Sequence, residues 1–225
     1  MNQVMNVSQA IIERRSTRAF LDKEINPELL QEIFLKAQQS PSNCNTQPWH
    51  VTVVSGETRK EIETRMVSEI MSGKAPSPAF KPGDKDLKDE FRKRQIACAI
   101  SLYDAMGIKY EEKQKRQELM LKNWQFFGAP HAAFISMPTQ FGEVNAIDIG
   151  IYVQTLMLLL TEAGLASCPQ GALAMYSQPV HDLTNIPEGH AILMGLSFGY
   201  PDTEHVINKF DVGRAELSDS VEFFS

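Results

Sequence analysis

One apolar segment organises this chain: Ile147-Asp-Ile-Gly-Ile-Tyr-Val-Gln-Thr-Leu-Met-Leu-Leu-Leu-Thr-Glu-Ala-Gly164. It predicts a long helix that is apolar almost all the way round and ends at a glycine. Such a helix must be covered on every side, either as the core helix of a monomer or at the centre of a subunit interface; periodicity does not choose between these. Because Asp148, Gln154, Thr161 and Glu162 interrupt the segment, we expect it to fall short of a membrane span.

Strands and helices alternate on both sides of this segment. Short β-branched or apolar runs predict strands at residues 50–55, 132–137, 166–172 and 191–200. Helical spacing and capping residues predict further helices at residues 8–13, 27–39, 57–71 and 178–184, with Ser8 and Asn26 as N-caps. The alternation predicts a three-layer sandwich of helices and sheet.

The length of 225 residues fits one domain over residues 1–225. Residues 72–86 hold three prolines and two glycines and predict a loop. Residues 86–125 then alternate charges with apolar residues and predict helices with a solvated face. We call residues 72–125 the excursion.

Composition excludes several function classes. The formal net charge of −6 argues against a general affinity for nucleic acid or an anionic membrane surface. The three cysteines, Cys44, Cys98 and Cys168, form no C-x-x-C pair, which favours a reducing cytoplasm. The first eight residues lack a signal-peptide pattern. The five histidines show no ligand spacing, so no metal site is predicted, and no G-x-G-x-x-G or Walker loop occurs.

The arginine segment, Arg14-Arg-Ser-Thr-Arg18, is a compact basic cluster in an acidic chain. If it is extended, Arg14, Ser16 and Arg18 point to one side of the backbone. Guanidinium groups match phosphate oxygens bidentately, so the cluster suits a phosphomonoester. The alternative is a solvated basic turn paired with neighbouring acids: Glu13, Asp22 or Glu24.

The amide loop, Ser40-Pro-Ser-Asn-Cys-Asn-Thr-Gln-Pro-Trp49, has no aliphatic side chain. Asn43, Asn45 and Gln47 each offer an acceptor and a donor, which suits the edge of a planar heterocycle. Alternatively, these amides cap turns and helix ends. With the arginine segment, the loop suggests a phosphorylated heterocyclic cofactor. Cys44 is interpreted as a packing residue rather than a nucleophile.

Gly195-Leu-Ser-Phe-Gly199 matches the G-x-S-x-G pattern of a hydrolase nucleophile. That nucleophile must be followed by a helix, but Tyr200-Pro-Asp202 ends regular structure here. We therefore expect Ser197 to be a strand residue.

Residues 13–20 followed by residues 40–50 resemble the N-terminal signature of the nitroreductase family of FMN-dependent NAD(P)H oxidoreductases. The similarity continues through residues 164–171, 199–201 and 207–214. The resemblance implies an α+β fold, a three-layer α-β-α sandwich with a mixed, mainly antiparallel sheet around a long central helix. It also implies an intertwined homodimer with FMN at the subunit interface, and so places the apolar helix at that interface.

The resemblance also assigns the binding residues. Arg14, Arg15, Ser16 and Arg18 match the phosphate and ribityl segment, and Arg214 matches a C-terminal basic residue that closes on the phosphate. The loop reaching the flavin from the partner subunit corresponds to Pro41, Ser42, Asn43 and Asn45, with Gln47 beside them. Pro169, Gln170 and Gly171 match the segment near flavin N5. Many family members carry a glutamate in that segment, where this chain has Gln170-Gly171.

The implied reaction takes hydride from NAD(P)H through flavin N5 to a nitroaromatic, quinone or similar acceptor by a ping-pong mechanism. Because the flavin performs the chemistry, no catalytic side chain is predicted. Substrate preference is expected to depend on the excursion. A flavin or enone reductase, a dehalogenase and a non-catalytic flavin-binding protein on the same fold remain alternatives.

Overall fold

The computed structural model describes residues 5–81 and 83–225. Residues 1–4 and 82 lie outside the described residues. The first four belong to the N-terminal residues that lack a signal-peptide pattern, and residue 82 belongs to the predicted loop at residues 72–86. The helices are α1 (Val7–Glu13), α2 (Pro27–Ala37), α3 (Gly56–Met71), α4 (Asp89–Ala105), α5 (Lys113–Leu121), α6 (Glu143–Glu162) and α7 (Gln178–Leu183). The strands are β1 (His50–Ser55), β2 (His131–Pro138), β3 (Ala166–Gln170) and β4 (His190–Gly199).

Local capping chemistry explains where the first two helices begin. Asn26 accepts hydrogen bonds from the N–H groups of Glu28 and Leu29, and Pro27 occupies the first turn, as predicted. The predicted Ser8 cap was wrong. Asn6 caps α1 instead, because its side chain and that of Gln9 hydrogen-bond reciprocally to each other's backbone.

The four strands form one antiparallel sheet in the order β1-β2-β4-β3. This confirms the α+β class. The parallel component of the expected mixed sheet is limited, in the described chain, to an isolated bridge between Ser16 and Ser167. Strand β1 pairs on one side only, so its other edge is open.

Helices cover both faces of the sheet, because successive strand residues point to opposite sides. On one face, Ala133, Ile135 and Met137 of β2 pack with α2 and α6. On the other face, Ala132 and Phe134 pack with α3, α7 and the short 3-10 helix Gly171–Ala174. The predicted three-layer sandwich is confirmed.

The long helix α6 is covered on one side only. Its buried residues are Asp148, Ile149, Tyr152, Val153, Leu156, Met157 and Leu160. Val144, Ile147 and Ile151 form an exposed stripe, with Ile147 at 63% exposure. The sequence left two alternatives for this helix, and the exposed stripe excludes the one in which a single chain covers it on every side. By length and composition α6 also meets the criterion for a membrane-crossing helix, contrary to the sequence-based expectation, although its buried side is that of a core helix.

The excursion contains α4 and α5, as predicted, after a loop that includes a 3-10 turn at Gly83–Asp86. Leu102 and Tyr103 of α4 and its C-cap residue Met106 pack against a small cluster formed by Ala19, Leu119 and Ile207. The excursion therefore packs on the side of the domain that carries the arginine segment.

His131 is a buried histidine held in its neutral form. Its Nε2 accepts a hydrogen bond from the backbone N–H of Ile25 at 3.2 Å, and its ring stacks on Phe198. Burial lowers the pKa of His131 below its ordinary value of 6.5; the Glu24 carboxylate opposes this shift and Arg59 adds to it. The unfolded chain therefore binds the proton more readily than the folded chain.

We expect the free energy of unfolding to fall as the pH drops from about 7.5 through the unfolded pKa towards about 5.5, because His131 protonates first in the unfolded state. His131→Gln keeps a side-chain acceptor for Ile25 but does not titrate, so it should lose less stability over that range. Urea unfolding at both pH values measures the difference. His181→Gln is the control, and an identical pH dependence in all three proteins would contradict the assignment.

Candidate functional site

The arginine segment is extended, as predicted, and is attached to the open edge of β3. Ser16 forms a parallel bridge with Ser167, and the N–H of Thr17 donates to the Ser167 carbonyl at 3.0 Å. Thr17 is buried. Strand alternation therefore directs Ser16 and its second neighbours, Arg14 and Arg18, away from Thr17.

These side chains meet in a cavity of about 200 Å³. Arg14, Ser16 and Arg18 line it together with Arg15, and Arg214 reaches it from the C-terminal tail. The structure thus brings this basic cluster together, including Arg214. A second opening of about 590 Å³ adjoins it beside Arg14 and the end of α6.

The positive charge in this cavity is poorly compensated. Among the described ion pairs, none involves the four arginines, so the alternative of pairing with Glu13, Asp22 or Glu24 is not observed. Burial lowers the pKa of Arg14, and the nearby Arg214 guanidinium lowers it further. A bound anion would relieve this repulsion.

Asp211 is the acid that lines the cavity. Its carboxylate accepts hydrogen bonds from the N–H groups of Val212 and Gly213, and these bonds hold its pKa below the ordinary value. Arg15 and Arg214 lower that pKa further. Asp211 therefore shapes the turn that presents Arg214 and offsets only part of the positive charge.

Two aromatic rings hold Arg18 in place. Its guanidinium carbon lies 6.0 Å from the ring centre of Phe127 and 5.5 Å from that of Phe210. It also donates to the Ser16 carbonyl at 3.3 Å. Arginine on aromatic faces is favourable by about 0.5–2 kcal/mol. Neither ring was predicted at the cavity, because no local sequence pattern relates them to Arg18.

Asn208 is a site-shaping residue that sequence reasoning treated only as part of a longer motif. Its Oδ1 accepts from the backbone N–H of Arg18 at 2.8 Å. Its Nδ2 donates to the carbonyls of Ala19 and Asp202, and its own carbonyl accepts from Arg15. Asn208 thus holds the arginine segment against the connection between β4 and the C-terminal tail.

The segment Pro169–Gly171 follows Ser167 directly along β3. Gly171 comes four positions after Ser167, about 13 Å at the usual rise of a strand. The cavity and this segment therefore lie along one strand. The side chain of Gln170 is buried: its Nε2 donates to the Asn123 carbonyl at 2.8 Å, and its Oε1 accepts from the Ser197 hydroxyl. The Gln170 side chain is therefore not free to contact a ligand, which leaves the backbone of the segment and the half-buried Pro169 ring.

The amide loop is exposed and partly strained. Cys44, Asn45 and Gln47 have φ values of 50°, 55° and 45°, in the left-handed region. The Ser42 hydroxyl accepts from the Gln47 N–H, and the Gln47 side chain donates to the Asn45 carbonyl, as the turn-capping alternative expects. Pro41, Asn43 and Asn45 leave their side chains open to solvent. Cys44 is exposed, so its interpretation as a packing residue was wrong.

One chain does not bring the amide loop and the arginine cavity together. The Asn43 N–H donates to Asp148 near the start of α6, at 3.1 Å. The opening beside Arg14 is lined by Thr161 at the other end of that helix. Thirteen helical residues separate the two positions, about 20 Å along the axis.

The sequence matches the profile described as "Nitroreductase family" over residues 11–200. The chain belongs to the nitroreductase family. It is 36% identical over 210 residues to "Nitroreductase NfnB" of Mycolicibacterium smegmatis, covering 93% of this chain and 89% of the relative. It is 30% identical over 204 residues to "4-nitrobenzoate reductase" of Pseudomonas putida, covering 91% and 89%.

Solved structures agree with this assignment. The structure of "FMN and NADPH-dependent nitroreductase NfnB" from sphigopyxis sp. strain HMH superimposes with a TM-score of 0.94 at 33% identity, covering 98% of this nitroreductase and 100% of that chain. The "FMN-dependent nitroreductase NfnB from Mycobacterium smegmatis in complex with NADPH" gives 0.92 at 34%, with the same coverage.

The G-x-S-x-G sequence of this nitroreductase has a packing explanation. Ser197 is a fully buried residue of β4, as predicted for a strand residue. A Cβ on Gly195 would lie 2.4 Å from Cδ1 of the buried Leu173, and one on Gly199 would lie 2.9 Å from Pro130. The two glycines therefore allow other segments to lie directly against β4.

We expect Gly195→Ala to lower the free energy of unfolding by about 1–3 kcal/mol, because the added methyl overpacks a filled core. Leu173→Ala should cost about 2–5 kcal/mol by leaving a cavity. The double variant should cost clearly less than the sum, since each change makes room for the other. Urea denaturation of the four proteins completes the cycle, and simple additivity would show that the two side chains do not compete for space.

Proposed function

We propose that this nitroreductase is an FMN-dependent oxidoreductase that uses NAD(P)H to reduce nitroaromatics, quinones or similar electron-poor acceptors. The names of its relatives support FMN, NADPH and nitroaromatic substrates. The observation that carries the proposal is the uncompensated arginine cavity beside β3.

The residues present fit the phosphate of FMN. Arg14, Arg18 and Arg214 supply guanidinium donors, Ser16 supplies a hydroxyl, and Arg15 adds positive charge. A phosphomonoester is close to a dianion at neutral pH and accepts several charge-assisted hydrogen bonds. It would also relieve the repulsion between Arg14 and Arg214.

The ring system would lie further along β3, at Pro169, Gln170 and Gly171. Since the Gln170 side chain is already hydrogen-bonded within the protein, we assign this contact to the backbone of the segment. The amide loop of a second copy, with Pro41, Ser42, Asn43, Asn45 and Gln47, would contribute from the other subunit. In that loop, the Asn45 side chain makes no described hydrogen bond, and that of Asn43 accepts one from the Cys44 thiol and keeps its NH2 donors.

Bound FMN would supply the chemistry, accepting hydride from NAD(P)H and passing reducing equivalents to the acceptor. The side chains of this chain would bind and orient FMN, and none is required as a nucleophile or base. We therefore assign no catalytic residue. The exposed Cys44 and the absence of disulfides among the described cysteines suit a cytoplasmic enzyme.

We also propose that the active form is an intertwined homodimer. The stripe of α6 is exposed, and so are Val7, Ile11 and Ile12 of α1, a helix that contacts α6. The tail residues Phe223 and Phe224 are exposed, and β1 has an open edge. Two copies of α6 packed in opposite directions would bring the amide loop of one chain towards the arginine cavity of the other.

We expect Arg14→Ala and Arg214→Ala to weaken FMN binding about 10- to 100-fold, because each removes a charge-assisted contact worth roughly 1.5–3 kcal/mol. Riboflavin, which lacks the phosphate, should bind the variants and the unaltered protein within about twofold. Fluorescence titration of the flavin-free protein measures both affinities.

Arg65→Ala is the matched control, since Arg65 lies on the surface of α3 and pairs with Glu61. It should leave the FMN affinity unchanged. Equal FMN affinity in all of these proteins, or equal losses for FMN and riboflavin, would refute the phosphate assignment.

For the dimer, we expect Ile147→Lys to shift the protein towards monomer and to reduce FMN retention, because it buries an unpaired charge at the proposed interface. Sedimentation velocity at several protein concentrations measures the association. Met71→Lys, an exposed apolar position at the end of α3 on the opposite layer, is the control. Wild-type protein that holds FMN as a monomer would rule the dimer out.

A further inference from the structure

The segment Gln170–Tyr176 is hydrogen-bonded to both ends of the excursion. It begins in the part of β3 assigned to the flavin ring and continues through the 3-10 helix Gly171–Ala174. The excursion leaves the domain after α3 and returns before β2. One short segment therefore connects the proposed flavin edge with both ends of the excursion.

The returning end of the excursion is held by two side chains. The Gln170 amide donates to the carbonyl of Asn123 at 2.8 Å and more weakly to its Oδ1 at 3.4 Å. The indole N–H of Trp124 donates to the Ala172 carbonyl at 3.0 Å. Both side chains are buried, so these bonds are shielded from competing water.

The departing end is held by the other half of the segment. The Tyr176 hydroxyl donates to the Lys74 carbonyl at 3.1 Å, and the Ser77 N–H donates to the Met175 carbonyl at 2.9 Å. The rings of Trp124 and Tyr176 meet edge to face, with centres 5.6 Å apart. The two ends of the excursion thus meet at this segment.

Gln170 can make these contacts because its side chain is neutral and has both a donor and an acceptor. Its Oε1 accepts from Ser197 while its Nε2 donates to Asn123. A carboxylate could still accept from Ser197, but it would face the Asn123 carbonyl with no proton to donate. The hydrogen bond to the Asn123 carbonyl thus requires an amide rather than a carboxylate at position 170.

We propose that Gln170 and Trp124 are positioning residues, which fix the backbone at Gly171 and Ala172 by hydrogen bonding this segment to the end of the excursion. This inference rests on the proposed function, since it takes residues 169–171 as the flavin edge. The returning end of the excursion and the flavin edge then move as one unit, so a change at this junction alters the flavin environment.

The test removes, one at a time, the two hydrogen bonds that the Gln170 side chain makes at its opposite ends. Gln170→Glu removes the hydrogen bond to Asn123 and keeps an acceptor for Ser197. Ser197→Ala removes the other hydrogen bond and keeps the one to Asn123. Trp124→Phe removes the indole donor, keeps an aromatic ring, and serves as the second variant if Gln170→Glu does not fold.

Two measurements separate positioning from general destabilisation. Hydrogen–deuterium exchange of the flavin-free protein should be about tenfold faster over residues 170–176 in Gln170→Glu and Trp124→Phe, because the links that protect the segment are lost. In the FMN-loaded protein, both variants should change the flavin midpoint potential and lower kcat about tenfold, since small displacements at a reacting centre are costly. The KM for the acceptor should change less than twofold.

Ser197→Ala should lower the urea midpoint to a similar extent but leave the potential and kcat close to wild type. If Gln170→Glu and Trp124→Phe both match wild type in exchange and in potential, the inference is overturned while the proposed function stands. If wild-type protein takes up no FMN, both are overturned.

Discussion

The candidate site depends on one backbone interaction, the pairing of Ser16 and Thr17 with Ser167 on the open edge of β3. Because β4 already occupies the other edge of β3, this pairing brings the arginine segment to the border of the sheet. It also places the cavity and residues 169–171 on one strand, separated by a few residues. Asn208 reinforces the arrangement from the C-terminal side by holding the backbone of Arg18.

Electrostatics then explain why this site suits an anion in a chain of net charge −6. Several glutamates on helix surfaces pair with a lysine or arginine one turn away. The arginines of the cavity are held apart from them by backbone pairing and by the rings of Phe127 and Phe210. Local charge, rather than net charge, therefore sets the ligand class, and the chemistry resides in a bound group rather than in a side chain.

Patterns that depend on neighbouring residues were predictable. The Asn26-Pro27 helix start, the four strands and the one-sided alternation of Arg14, Ser16 and Arg18 all follow from local geometry. Contacts between distant residues were not. The bonds of Gln170 to Asn123 and Ser197, and the stacking of Arg18 on Phe210, join positions with no common period. The Ser8 cap failed because Asn6 competes for the same N–H groups with a better-placed side chain.

The sequence by itself determined the family, the order of helices and strands, and the residue types available to hold a phosphate, because these depend on local propensity and on motifs of adjacent residues. Only the tertiary structure decided that Phe127 and Phe210 pack on Arg18, that the Gln170 side chain is turned into the protein, and that one side of α6 stays uncovered within a single chain. The physical reason is that these outcomes depend on which strand edges pair and which faces pack, and both join residues far apart along the chain.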